Sequence, residues 1–208
     1  MKQLRQNKVN FFHFPKVGGT SIKKQLEQFD TSKVFFYYNN PFNNNLIMRK
    51  INYLNNLSKI NKKKVKIVFG HYIASDALFN LDSSTNIVAL RHPYEWLGSL
   101  YFYWSEKNNQ QIPLITFIQK YSLHNFYRTF LGPNPEKVFN IIGFFENYND
   151  FIEKISDELD YNFLSLRENE TNIRPKNYTD HLKSDKSFQK IKELMQNNLE
   201  LYEHLKNV

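Results

Sequence analysis

Three short stretches carry residues whose types and spacing could do chemistry. The first is Phe11-Phe12-His13-Phe14-Pro15-Lys16-Val17-Gly18-Gly19-Thr20-Ser21-Ile22. An apolar run stops at a proline, a glycine-bearing turn follows, and a helical pattern opens at Thr20 and Ser21, either of which could cap it. A strand–turn–helix aims backbone N–H groups and a helix N-terminus at one spot, which suits a phosphate-like anion. Lys16 adds a mobile positive charge, and Gly18 and Gly19 remove side chains that would hold a ligand off the backbone. The stretch is not a Walker A motif, because the lysine precedes the glycines and the loop is shorter. It fits one phosphate-like group better than a β,γ pair with magnesium.

The second stretch is Arg91-His92-Pro93, with Ser99 eight residues beyond the arginine. A guanidinium fork and a hydroxyl can clamp a second phosphate. Alternatively, Arg91 pairs with a carboxylate and Ser99 is a small helix-packing residue. The third is Gly70-His71, where a neutral imidazole could take a proton from an acceptor hydroxyl. A hydrogen-bonded structural histidine is the plainer alternative there. His13, set between phenylalanines, reads as structural.

The elements needed to position these residues follow from the apolar pattern. Short apolar runs at 9–14, 34–38, 65–69, 86–90 and 138–144 read as strands. Helical spacing marks 21–29, 46–57, 94–104, 114–121, 125–130, 149–159 and 187–205, with a short helical turn over 73–79 and an irregular stretch over 164–174. The 46–57 helix places Leu46, Ile47, Ile51, Leu54 and Leu57 on one face. Pro93 suits the first turn of a helix. Strands alternating with helices imply an α/β fold, with a mostly parallel, about five-stranded central sheet covered on both faces. Ligands of such sheets bind outside the carboxyl ends of the strands. All three stretches sit at such ends, so this architecture brings them to one edge. The chain shows no internal repeat and no interdomain linker, so residues 1–208 are expected to form a single domain.

Composition narrows the partners. The net charge is +8 with 28 Lys and Arg against 20 Asp and Glu, which favours nucleic acid, an acidic polysaccharide or a nucleotide. There is no cysteine, so disulfides, thiolate zinc sites and a cysteine nucleophile are excluded. No apolar run reaches the ~18 residues of a membrane span. Met1–Lys8 is short and polar, without a signal-peptide pattern, so a cytoplasmic protein is expected.

Taken together, these residues resemble the sulfotransferases that use 3′-phosphoadenosine 5′-phosphosulfate (PAPS), and in particular the carbohydrate group that includes heparan sulfate 2-O-sulfotransferase. The Phe12–Ile22 stretch resembles that family's 5′-phosphosulfate loop. Arg91-His92-Pro93 with Ser99 and Tyr101 is similar to its 3′-phosphate element. Phe69-Gly70-His71 is similar to the strand end that carries the catalytic base. Ile141–Tyr148, Asn172 and Leu201-Tyr202 match weaker landmarks. Two positions depart from the pattern: His92 stands where the family often has Asp, and Trp96 where it often has a second arginine.

The resemblance implies a three-layer P-loop-kinase-like fold. It implies that backbone N–H groups of residues 18–21 hold the 5′-phosphate, with Lys16, Val17, Gly18, Gly19, Thr20 and Ser21 forming the loop. Lys16 would stabilise charge on the leaving oxygen, Arg91 and Ser99 would hold the 3′-phosphate, and His71 would be the general base. Lys176, within Ile173–Tyr178, would close over the nucleotide. The acceptor would be a hydroxyl, expected on a carbohydrate and lined by the aromatic stretch 102–135. No metal, membrane span or nucleic-acid partner is implied. The alternatives are a nucleotide-dependent kinase of similar architecture and a non-catalytic basic nucleotide- or nucleic-acid-binding protein.

Overall fold

The structure, a computed structural model, describes residues 8–28, 32–39, 42, 46–61, 64–165, 182 and 187–208. Lys176, the segment 173–178, Asn172 and the expected helix end at Phe29 lie outside the described residues.

Five strands form one sheet: β1 (Lys8–Phe12), β2 (Val34–Phe36), β3 (Ile67–Gly70), β4 (Ser84–Leu90) and β5 (Ile141–Phe144). Their spatial order is β2-β3-β1-β4-β5, and every pairing is parallel. Among the described residues the helices are α1 (Gly19–Leu26), α2 (Leu46–Asn61), α3 (Pro93–Asn108), α4 (Leu114–Lys120), α5 (Phe126–Leu131), α6 (Pro135–Val138), α7 (Tyr148–Leu159) and α8 (Phe188–Lys206). This is the three-layer, P-loop-kinase-like α/β arrangement expected from the sequence.

Every residue of β4 is buried, as is all of β1 after Lys8, so both faces of the sheet are covered. Aromatic rings fill the layers. Phe11 packs on Phe69 and on Phe151 of α7, while the next residue, Phe12, turns to Tyr72 and Phe139. Phe14, just past β1, is ringed by Trp96, Phe126, Tyr127 and Phe130. That cage locks the base of the chain entering the first candidate loop.

Three expectations are corrected. Residues 138–140 are not strand: Pro135 opens α6, the Phe139 N–H returns to the Pro135 carbonyl, and β5 starts at Ile141. Neither Thr20 nor Ser21 caps α1; the helix begins at Gly19, two residues before the expected 21, and its N-cap is Gly18, at φ 78°, with no side-chain cap. The apolar stripe of α2 does not face the core, because Ile47, Ile51 and Leu54 are exposed. The helix instead turns Arg49, Tyr53, Leu57 and Ile60 inward. Arg49 is pinned there by Asp76, Nη2 to Oδ2 at 2.8 Å, and this largely buried ion pair sets the rotation.

Candidate active site

The sheet order puts β1 between β3 and β4, so the segments after these three strands emerge side by side. Phe12 is in register with Gly70 on one side and with Val88 on the other. From β1 the chain leaves toward β2, and from β4 toward β5. The β1/β4 crevice is therefore the topological switch point, the usual ligand site of such sheets.

The first loop is held in an uncommon shape. Lys16 and Gly18 both have left-handed backbone, at φ 63° and 78°. Trp96 is fully buried and donates its Nε1–H to the Pro15 carbonyl at 3.1 Å while stacking on Phe126. Tyr148 donates its hydroxyl to the Gly18 carbonyl at 3.4 Å. Val17 is buried, so only its backbone faces the loop. The Ser21 N–H bonds back to the Gly18 carbonyl at 3.2 Å, and its buried side chain hydrogen-bonds Tyr148. The Ser21 N–H is thus already engaged within the loop. Trp96→Phe should keep the ring packing, strand the Pro15 carbonyl, and lower stability by about 1–3 kcal/mol in chemical denaturation. A variant as stable as the parent would remove Trp96 from its role in holding the loop.

The residue that opens the second segment joins the first. Arg91 Nη1 lies 3.4 Å from the Lys16 carbonyl, its Nη2 lies 3.6 Å from Glu95, and its guanidinium covers the Phe145 ring at 4.5 Å. Its side chain is only 14% exposed, yet its Nε is buried without a partner. A buried cation so loosely matched is equipped for a further anion. The Arg91 carbonyl accepts the Tyr127 hydroxyl, and the His92 N–H donates to Glu146 Oε1 at 2.7 Å. Tyr202 holds the other Glu146 oxygen at 2.9 Å. Glu146 and Tyr127 thus fix this turn from residues far along the chain, and no local spacing points to either.

Trp96 packs in the core and supplies no cation. Ser99 is buried two turns into α3 and makes no hydrogen bond to Arg91. Tyr101 bonds the Ile112 carbonyl at 2.8 Å. Arg91, Lys16 and the glycines are brought together, while Ser99 and Tyr101 are not joined to Arg91.

The Lys16 ammonium sits 4.1 Å from the centre of the Tyr103 ring. Burial, and then the nearby Arg91, lower its pKa. Tyr103 is exposed, whereas Phe117, Tyr127 and Phe130 of the same aromatic stretch are buried. Phe117, Phe126, Tyr127 and Phe130 therefore belong to the helical core, and Tyr103 reaches this edge.

His71 follows β3. Its Nδ1 lies 2.6 Å from the His13 carbonyl, an acceptor, so Nδ1 carries the proton and Nε2 keeps its lone pair. Burial lowers its pKa, partly opposed by that carbonyl. The ring is thus neutral and basic at Nε2 near pH 7. Gly70 must lack a side chain, since a Cβ there would sit 1.8 Å from the Tyr37 carbonyl oxygen. The Asn39 N–H donates to the His71 carbonyl at 2.7 Å, fixing the backbone. Among the described residues, no group of three or more metal-ligating side chains is gathered, and no helix is long and apolar enough to cross a membrane.

No family model matches the chain, and no curated protein matches it. Two solved structures resemble it in chain trace. One is the mouse sulfotransferase SULT7A1 complexed with PAP, 13% identical, with 76% of this chain and 61% of that chain covered and a TM-score of 0.49. The other is a sulfotransferase from Alicyclobacillus acidocaldarius, 9% identical, with 95% and 97% covered and a TM-score of 0.48. The chain spans less than two thirds of the mouse protein's length. Likeness at this level is one of chain trace and assigns no role to any residue.

Proposed function

We propose that this chain is a sulfotransferase that moves a sulfuryl group from PAPS to a hydroxyl, with a carbohydrate as the acceptor. The observation that carries the reading is the contact of Arg91 with the Lys16 carbonyl at 3.4 Å. The contact joins the loop after β1 to the segment after β4, and in this reading the two bind the separate 5′ and 3′ phosphates of one donor. The basic Nε2 of His71, at the neighbouring strand end, supports acid–base work at the same edge.

In this reading the N–H groups at the start of α1 bind the 5′-phosphate side of the donor. Arg91 takes the 3′-phosphate, using its unmatched guanidinium edge. His71 accepts the acceptor's hydroxyl proton at Nε2 as the new oxygen–sulfur bond forms. The sulfur–oxygen bond to the phosphate breaks, and its electron pair leaves on the phosphate oxygen. Lys16 leaves the Tyr103 ring and neutralises that charge. The proton stays on His71, whose Nδ1–H bond to the His13 carbonyl strengthens with charge. The donor brings its own good leaving group, so the residues chiefly orient and neutralise. Lys176, in this reading, adds a cation to the nucleotide from outside the described residues.

The test needs no acceptor. At a hundredfold excess over its Kd, 3′-phosphoadenosine 5′-phosphate should stabilise the fold by about 2.7 kcal/mol. For a chain of this length that raises Tm by roughly 5–10 °C. AMP, lacking the 3′-phosphate, should give less than about a third of that shift. Equal shifts from both nucleotides would sink the two-phosphate reading, and no shift from either would sink the nucleotide site.

A further inference from the structure

One polar group in this site has no role in the reaction described above. His13 directly follows β1 and is 9% exposed, and its Nδ1 is buried with no hydrogen-bond partner. Of its two ring nitrogens, only Nδ1 is both buried and unpartnered. The ring stacks on His71, with centroids 4.1 Å apart and planes 26° apart. Its opposite edge lies against the first residue of α1, and a Cβ on Gly19 would come within 2.1 Å of His13 Nε2 and Cδ2. His13 therefore occupies the space that a side chain at residue 19 would fill, between the His71 ring and the loop backbone.

The tautomer follows from these surroundings. A buried N–H without an acceptor is a rarer and costlier defect than a lone pair without a donor. The orphaned Nδ1 therefore carries the lone pair and Nε2 carries the proton. Nε2, with Cδ2, is the part of the ring set against Gly19, the first residue of α1.

We propose that His13 is an anion-binding residue, its Nε2–H donating to an oxygen of the phosphate or sulfuryl group held over Gly18–Thr20. This rests on the anion-loop reading above and deepens it. The glycine at residue 19 then serves the side chain of His13 as well as the approach of a ligand to the backbone. In the stack His71–His13–Gly19, the His13 ring lies between the His71 ring and the loop backbone.

The experiment compares 3′-phosphoadenosine 5′-phosphate binding to the unmutated chain, His13→Phe and His13→Gln by calorimetry, with thermal melting of each free protein. Phenylalanine keeps a ring against His71 but has no donor. Glutamine offers an N–H at a similar reach. His13→Phe should bind the nucleotide ~10–100-fold more weakly, the loss of one hydrogen bond to a charged group. Its melting temperature should not fall, because a buried unpartnered nitrogen has been removed. His13→Gln should stay within about threefold of the unmutated chain, since it retains a donor. In the unmutated chain, the His13 Nε2–H resonance should shift as nucleotide is added, which tests the contact even if a variant fails to fold. Unchanged affinity in His13→Phe, equal weakening in both variants, or an unmoved resonance on a chain that binds the nucleotide would each overturn the proposal alone. An unmutated chain that binds no nucleotide would overturn the donor-site reading and this inference with it.

Discussion

Replacing His71 with alanine is expected to lower turnover by about 10²–10⁴-fold, the usual contribution of a positioned general base. The loss should fall on kcat, with the donor's affinity nearly unchanged, because proton transfer belongs to the transition state. A loss of a few fold, with kcat otherwise retained, would assign the base elsewhere.

The pH profile gives a second handle on the same residue. Burial holds the His71 pKa below its ordinary 6.5, so the activity it supports should decline only as pH falls below that value. Stability should follow a related course. His13 is also held well below 6.5, by burial first and then by the charges of His71, Lys16 and Lys23. Both folded values are depressed, so the unfolded chain takes up more protons once pH drops beneath 6.5. The stability due to the neutral pair is present above that pH and drains away on acidification toward the folded values. Melting between pH 7 and pH 5 should show this decline, and His71→Ala should shrink it.

Lys16→Ala is expected to cost about 10²–10³ in kcat, the scale seen when one stabiliser of developing charge is removed. The free protein should lose no more than about 1 kcal/mol, the value of a partly exposed cation over an aromatic ring. This contrast matters because Lys16 is already partly desolvated. Burial and Arg91 together lower its pKa, so its charge is held at a cost that an incoming phosphate would offset. Single-turnover kinetics beside a melting curve separates the two effects. Turnover equal to that of the unmutated chain would end the case for Lys16 as the group that meets the leaving oxygen. Lys16→Arg should not restore full activity, since a planar fork does not replace a compact ammonium on a flexible stem.

Much of this edge was legible beforehand, because one topological rule did most of the placing. Once strands alternate with helices, the ends at Phe12, Gly70 and Leu90 must point the same way, and Lys16, His71 and Arg91 follow. Other features depend on partners that spacing cannot reveal. The stripe of Ile47, Ile51 and Leu54 has a true helical period, but period alone does not say which face meets the core, and the Arg49–Asp76 pair turns it away. Thr20 and Ser21 have the right chemistry to cap a helix, yet the left-handed Gly18 is the cap and both lie inside the helix. His13 looked like an ordinary core histidine between phenylalanines. Its interest comes from Gly19 and His71, which only the folded chain sets on either side of it. Trp96 is legible in hindsight as the residue that secures Pro15, a role in which an arginine would lose the aromatic stacking on Phe126.

The central position of β1 has a consequence in time. Lys8–Phe12 leaves the ribosome before the other strands, yet its partners are Ile67–Gly70 on one side and Ser84–Val88 on the other. At about 5–20 residues per second, it waits roughly four to fifteen seconds for the second of them. Until Gly70 is made this strand, with its two phenylalanines, has neither neighbour, and until Val88 is made it lacks the second, with Arg91 still to come. This edge is therefore the product of a late closure: the loop after β1 meets Arg91 only when the fourth strand slots in beside the first.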